Sequence, residues 1–207
     1  MSGQLTEHQI KQKANAMRES IVKMLEHAGS GHSAGPLGLA DLVATLYFGV
    51  MNIDPAEPDK SDRDLFFLSN GHCVPVQYAA MAEAGYFPKS ELITLRQWGS
   101  RLQGHPERTK LPGLENTSGP LGCGVAQGAG AAYAFQYLDA QRNRWVYVVT
   151  GDGELAEGSN WEAAMAAAQY GLDNLCLVID RNRLQISGTT EQVMAHENMA
   201  ERLSSFG

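Results

Sequence analysis

No apolar run in this chain approaches the ~18 residues that a membrane-spanning helix needs, so no membrane partner is expected. Positive charge is in deficit. Lys and Arg number 16 against 23 Asp and Glu, for a formal charge of -7. An acidic chain without a long basic stretch is a poor ligand for nucleic acid. Cysteine is scarce: Cys73, Cys123 and Cys176 lie far apart and form no CxxC, which argues against zinc knuckles and redox dithiols. The polar start MSGQLTEHQ has neither a basic region nor an apolar one, so no secretory leader is expected. With an odd number of cysteines, this points to a reducing cytoplasm. Internal repeats, low-complexity tracts and linkers are also missing. What remains is 207 residues, 43% of them hydrophobic, enough for one sizeable folded domain over 1–207.

Periodicity places the elements. Thr6 and Gln9 have capping-box spacing, and Ile10, Ala14, Met17, Ile21 and Leu25 repeat at helical intervals up to a stop at Gly29. A loop, SGHSAG, follows, and Pro36 suits the first turn of a helix running to about Val50. DLFFLS (64–69) reads as a buried strand, SNGH opens a helix ending near Gly85, and Ser90–Trp98 reads as one more short helix. Residues 99–121 form a long Gly- and Pro-rich loop, a kind that is often functional. The Gly- and Ala-dense stretch 122–137 reads as a close-packed helix, suited to a subunit interface. RWVYVVT (144–150) and NLCLVID (174–180) both have central-strand patterns, with a helix over about 160–169 between them. Strand–helix–strand of this length is a βαβ unit, so the expected fold is α/β with a parallel sheet flanked by helices.

The first of these two strands runs into Gly151-Asp152-Gly153-Glu154, and the second into Asp180-Arg181-Asn182-Arg183-Leu184. Ligands in parallel α/β sheets bind beyond the carboxyl ends of strands. If the two strands are near neighbours, Asp152 and Asn182 meet, and a carboxylate with an amide oxygen suits a hard cation such as magnesium or calcium. Gly151 and Gly153 would let a phosphate approach the backbone and accept from its amides. A GDG alone is better explained as a turn. Its placement after one buried strand, with DRNRLQISG after the next, is far more specific.

Two other features have plainer readings. His32, His72 and His105 each follow a glycine on a loop or helix start. Imidazole can donate and accept near neutral pH, yet taken one at a time each reads as a surface or helix-capping histidine. No HExxH supports zinc. His8, His27 and His196 lack such settings. Gly122-Cys123-Gly124-Val125-Ala126-Gln127 imitates the start of a dinucleotide fingerprint but has Gln127 at the third glycine position and no buried strand before it. Cys73 and Cys123 read as small fillers in the core or near the site.

The whole stretch GDGELAEGSNWEAAMAAAQYGLDNLCLVIDRNRLQISG resembles the thiamine diphosphate motif, and AEGSNWEA is similar to transketolases in particular. SGHSAGPLG (30–38), LSNGH (68–72), GHPE (104–107) and LPGLENTSGPLG (111–122) match the same family in the same order. The resemblance runs from about residue 13 to 188. It implies a thiamine diphosphate-binding fold in which Asp152 and Asn182 hold magnesium or calcium by side chain and Leu184 by its carbonyl. Gly151, Gly153, Glu154 and His72 would lie at the diphosphate, with Gly119, Pro120 and Leu121 lining the thiazolium and aminopyrimidine side. His32, His72 and His105 would face the sugar. Glu157 and Glu162 match acidic positions that lie between paired sites.

The implied activity is transfer of a two-carbon ketol unit from a ketose, a sugar phosphate in the usual case, to an aldose. Such a site needs a second, pyrimidine-binding half that supplies an activating glutamate. The expected partner is therefore a C-terminal transketolase half, in a homodimer or heterotetramer. ENMAERLSSFG (197–207) reads as a helix, beyond which the family's diphosphate domain continues, so the fold is expected to be truncated at its C-terminal end. Two alternatives stand beside this reading: another thiamine diphosphate enzyme such as 1-deoxyxylulose-5-phosphate synthase, and a non-catalytic binding or assembly subunit.

Overall fold

The structure is a computed structural model describing residues 5–139, 141, 143–196 and 198–207. The first four residues of the leader reading and Glu197 of the C-terminal helix reading lie outside the described residues. Two compact units emerge: Met1–Arg63 with Gly71–Thr117, and Asp64–Asn70 with Ser118–Gly207.

The first unit is helical. α1 (Glu7–Ala28) begins at the expected capping box. Thr6 Oγ1 accepts from the Gln9 amide, and the Gln9 side chain accepts from the Thr6 amide at 2.9 Å. Gly29 ends it in the left-handed conformation. Ala14, Met17, Ile21 and Met24 bury one face, each large side chain contributing about 1.5–3 kcal/mol. The stretch expected as one helix to Val50 is divided. α2 (Ala34–Gly38) and α3 (Ala40–Thr45) are separated at Leu39, and a wider turn over Leu46–Val50 closes on the bond from Met51 N to Leu46 O. Gly38 and Gly49, poor helix formers, fall in the two weak places. α4 (Val74–Ala84) is buried from Val74 to Ala82 and packs on α1, α2 and α3. Where a helix was expected over 90–98, Lys89–Thr94 makes a 3₁₀ turn instead.

The second unit carries the sheet. β1 (Leu65–Leu68), β2 (Val146–Gly151) and β3 (Leu175–Asp180) are parallel, in the order β1-β2-β3. β2 is central and buried along most of its length, whereas β3 is half-buried throughout. Both strands read as central in sequence, because an apolar run records two covered faces and not the number of pairing neighbours. α5 (Gly124–Tyr133) lies against the strands, and α6 (Gly158–Gln169) connects β2 to β3. The expected Gly/Ala helix has a packing reason. A Cβ on Gly128 would stand 2.3 Å from Val148 Cγ2, and one on Gly124 would stand 2.5 Å from Ser69 Cβ. The core joins Phe67, Val125, Phe135, Val146, Val148 and Leu172. Beyond β3 the chain makes an antiparallel pair, β4 (Leu184–Gln185) and β5 (Gly188–Thr189), then α7 (Thr190–Val193) and α8 (Met199–Ser204).

Candidate functional site

The β2–β3 register ends on the pair Gly151 and Asp180. Each chain therefore leaves the sheet at the same level, and Asp152 N donates to Asp180 O at 3.1 Å. Asp152 is fully buried, yet among the described residues its carboxylate accepts hydrogen bonds only from backbone amides: Gly153 N donates to Oδ1 at 2.9 Å and Arg183 N to Oδ2 at 2.7 Å. Arg183, which donates this amide, adopts a left-handed φ of 65°. Asn182 is exposed, and its Oδ1 accepts from Leu184 N at 2.8 Å. The two strand-tip loops are thus tied together, as the spacing of Asp152 and Asn182 suggested.

The acids here crowd one another. Asp180 has its pKa raised first by burial, then by the Asp152 charge, with an Asn182 hydrogen bond opposing. Among the described residues no group of three or more His, Cys, Asp and Glu side chains could hold a metal. A cation here would rest on one carboxylate, an amide and a carbonyl, the oxygen set that magnesium and calcium accept when ligand oxygens or water complete the shell. Each Asp152 oxygen receives one amide and keeps a lone pair. Open space stands where a Cβ would be on Gly151 and on Gly119, and among the described residues Gln185 Oε1 is buried with no hydrogen-bond partner, an oxygen left free to face a cation. These features fit an oxygen-rich, metal-bound group.

Other expectations meet a different geometry. Beside Gly153 the space is filled by Gln185, whose Cγ is 3.0 Å from the position of a Cβ. The Gly153 amide is used by Asp152, and the Gly151 amide donates to Glu154 Oε2 at 3.3 Å. Glu154 is itself buried, and its carboxylate also accepts from Ser69 Oγ, from Gly122 N at 2.8 Å and from Thr150 Oγ1 at 2.6 Å. It thus joins the ends of β1 and β2 to the loop that carries Gly119, Pro120 and Leu121. Gly119 is half-buried; Pro120 and Leu121 are exposed. Glu157 and Glu162 are both exposed, and Glu157 Cβ crowds Gly122. Ser69 and Thr150 were missed in sequence, where a hydroxyl inside an apolar strand carries no signal of its partner.

In the first unit the structure brings the histidines together. The His32 and His72 rings have centroids 4.9 Å apart. A Cβ on Gly35 would stand 2.5 Å from Cys73 Sγ, so the absence of a side chain lets the SGHSAG loop seat on the residue after His72. His105 has its pKa lowered by burial first, then by the charges of His32 and Arg96. Cys73 is buried, as a filler should be, but Cys123 is exposed. His196, left aside in sequence, is buried.

Comparison with known proteins gives a consistent result. Residues 9–207 match the family model for the transketolase thiamine diphosphate-binding domain. Two curated relatives are each named as one subunit of an apulose-4-phosphate transketolase. That of Phocaeicola vulgatus is 44% identical over 92% of this chain and 66% of its own length. That of Actinobacillus succinogenes is 39% identical over 98% of this chain and 73% of its own. Among solved structures, transketolase from Leishmania mexicana superposes with a TM-score of 0.91 at 36% identity, covering 99% of this chain and 31% of that one. The chain therefore spans two thirds to three quarters of these two relatives and about a third of the long-chain enzyme.

Proposed function

Since the chain belongs to the transketolase thiamine diphosphate-binding domain family, we propose that it is the diphosphate- and metal-holding part of a split transketolase, completed by a second, pyrimidine-binding subunit. The observation that carries this reading is the Asp152 carboxylate, buried at the tip of β2 and tied to the loop holding Asn182 through the Arg183 amide. Asp152, Asn182 and the Leu184 carbonyl would hold magnesium or calcium. Because the Gly151 and Gly153 amides already donate within the protein, the diphosphate would be held chiefly through the cation. Glu154 would set the 119–122 loop rather than touch a phosphate, since two anions without a cation between them repel.

Thiamine diphosphate, when bound, supplies the electron sink for ketol transfer. His32, His72 and His105 would donate to and accept from sugar hydroxyl and carbonyl oxygens. A neutral imidazole does both, through different nitrogens. Glu157 and Glu162 would serve a proton network shared with a second copy. The two relatives bear the name of a phosphorylated sugar, which favours a sugar phosphate as substrate here.

The test is calorimetric titration of thiamine diphosphate with magnesium into this chain, with and without a candidate C-terminal half, for wild type and Asp152→Ala. Binding that requires Asp152 supports the reading. A folded chain, partner present, that binds no cofactor under metal-replete conditions refutes it.

A further inference from the structure

Arg96 has no place in the family motifs quoted above, and no periodicity marks it. It follows the Lys89–Thr94 turn with a left-handed φ of 61°, a conformation that non-glycine residues rarely adopt. Its amide donates to Leu102 O at 2.9 Å, closing the loop between them. Its guanidinium then reaches two other turns. Cζ, Nε and Nη1 stand 3.2, 3.3 and 3.4 Å from the position of a Cβ on Gly104. Three nearly equal distances mean that the planar group lies flat over that glycine. Nη1 is also 3.6 Å from the corresponding point on Gly31. Gly31 and Gly104 immediately precede His32 and His105.

We propose that Arg96 is a positioning residue, whose guanidinium is the shared surface against which the His32 and His105 turns are set. The inference rests on reading these histidines as the groups that meet the sugar. The geometry explains why both imidazoles follow a glycine: a side chain at Gly104 would crowd the guanidinium, and one at Gly31 would collide with Leu25 Cδ2 at 2.6 Å. The charge acts in the same direction as the packing. His32 and Arg96 are the charged or titratable groups acting on His105, and neither is an acid. Among the described residues no carboxylate forms an ion pair with Arg96, so its field is not cancelled locally. A cation beside an imidazole favours the neutral ring, which keeps a nitrogen free to accept from a sugar hydroxyl.

The experiment is an NMR titration of the histidine rings in the isolated chain, for wild type, Arg96→Gln, Arg96→Lys, Gly104→Ala and the Arg96→Gln/Gly104→Ala double variant. Arg96→Gln is expected to raise the His105 midpoint and move the His32 signals, leaving His8 and His27 on α1 unchanged as reporters of folding. Arg96→Lys should return the midpoint most of the way. Gly104→Ala should displace the guanidinium and shift His105 in the same direction, and in the double variant it should add nothing. An unchanged His105 midpoint in Arg96→Gln, or additive effects in the double variant, would overturn the proposal. Should Gly104→Ala fail to fold, the Gln and Lys variants decide alone. This readout needs neither cofactor nor partner, so absent thiamine diphosphate binding would defeat the functional reading while leaving the Arg96 result standing. In a reconstituted enzyme, Arg96→Gln should also move the acid limb of kcat/KM to higher pH.

Discussion

The amide of Arg183 donates to Oδ2 of Asp152 at 2.7 Å, across 31 residues of chain. This bond joins the loop after β3 to the carboxylate at the end of β2. Arg183 makes it in a left-handed conformation, which sets the direction of the chain leading on to Leu184. The pairing also brings Asn182 and Leu184, on either side of Arg183, to the mouth of the sheet.

Asp152→Ala should therefore do two things. It removes the proposed metal ligand and releases the 181–184 loop. Metal-dependent cofactor binding should fall by more than the roughly 10–100-fold typical of losing a group that merely supports a ligand. Asn182→Ala should weaken binding with little change in melting temperature, because Asn182 is exposed. Calorimetry and thermal melts separate the two effects; equal affinity in Asp152→Ala and wild type would remove Asp152 from the site.

Glu154→Ala is expected to act on stability. Its carboxylate accepts from Ser69, Gly122, Thr150 and Gly151, and truncation leaves these donors without it in a buried place. The loss should be about 3 kcal/mol, or roughly 6–12 °C in melting temperature for a chain of this size. Glu154→Gln should fall between, since its amide presents a donor where only donors approach. A melt unchanged in Glu154→Ala would mean the network contributes nothing net.

Glu83 predicts a dependence on acid. Burial alone would raise its pKa, but hydrogen bonds and charges from Lys89 and Lys13 outweigh this and leave it lowered. A carboxylate depressed in the folded state contributes stability that is present above its unfolded pKa and is lost as pH falls through the folded one. Wild type should therefore lose more stability than Glu83→Gln between neutral pH and the region below the ordinary glutamate value of 4.5. Denaturant melts at several pH values measure the gap, and parallel curves would count against the pairing.

Ile186 offers a gain. It turns the β4–β5 hairpin at φ 45° with its side chain fully exposed, a left-handed conformation that a β-branched residue resists and asparagine tolerates. Ile186→Asn should raise stability by about 1 kcal/mol, or some 2–4 °C. A lower melting temperature would show that the isoleucine makes a compensating contact.

How much of this was legible in the sequence varies by element. α1 could be read to the residue, since Thr6, Gln9 and Gly29 are local signals whose partners lie within a turn. The three parallel strands were also legible, as were the two strand tips bearing Asp152 and Asn182. The β4–β5 hairpin was not, because Ile186 at a left-handed turn contradicts its own preference; α7 went unread although Thr189 and Gln192 have the same capping-box spacing as Thr6 and Gln9, since only one turn of helix follows them. The break at Leu39 and the 3₁₀ turn before Arg96 were missed for a similar reason: periodicity marks a face and is blind to where a helix pauses.

By itself the sequence determined the chemistry on offer: a carboxylate and an amide 30 residues apart at the ends of two apolar strands, and three imidazoles each after a glycine. Only the tertiary structure decided what each group meets. It turned the Glu154 carboxylate onto four protein donors and gave the Gly151 and Gly153 amides to neighbouring acids. It also laid Arg96 over the glycines before His32 and His105. Spacing along a chain can bring two elements to one place. Which donor reaches which acceptor there depends on close approaches a few tenths of an ångström wide, and residue order alone does not carry that information.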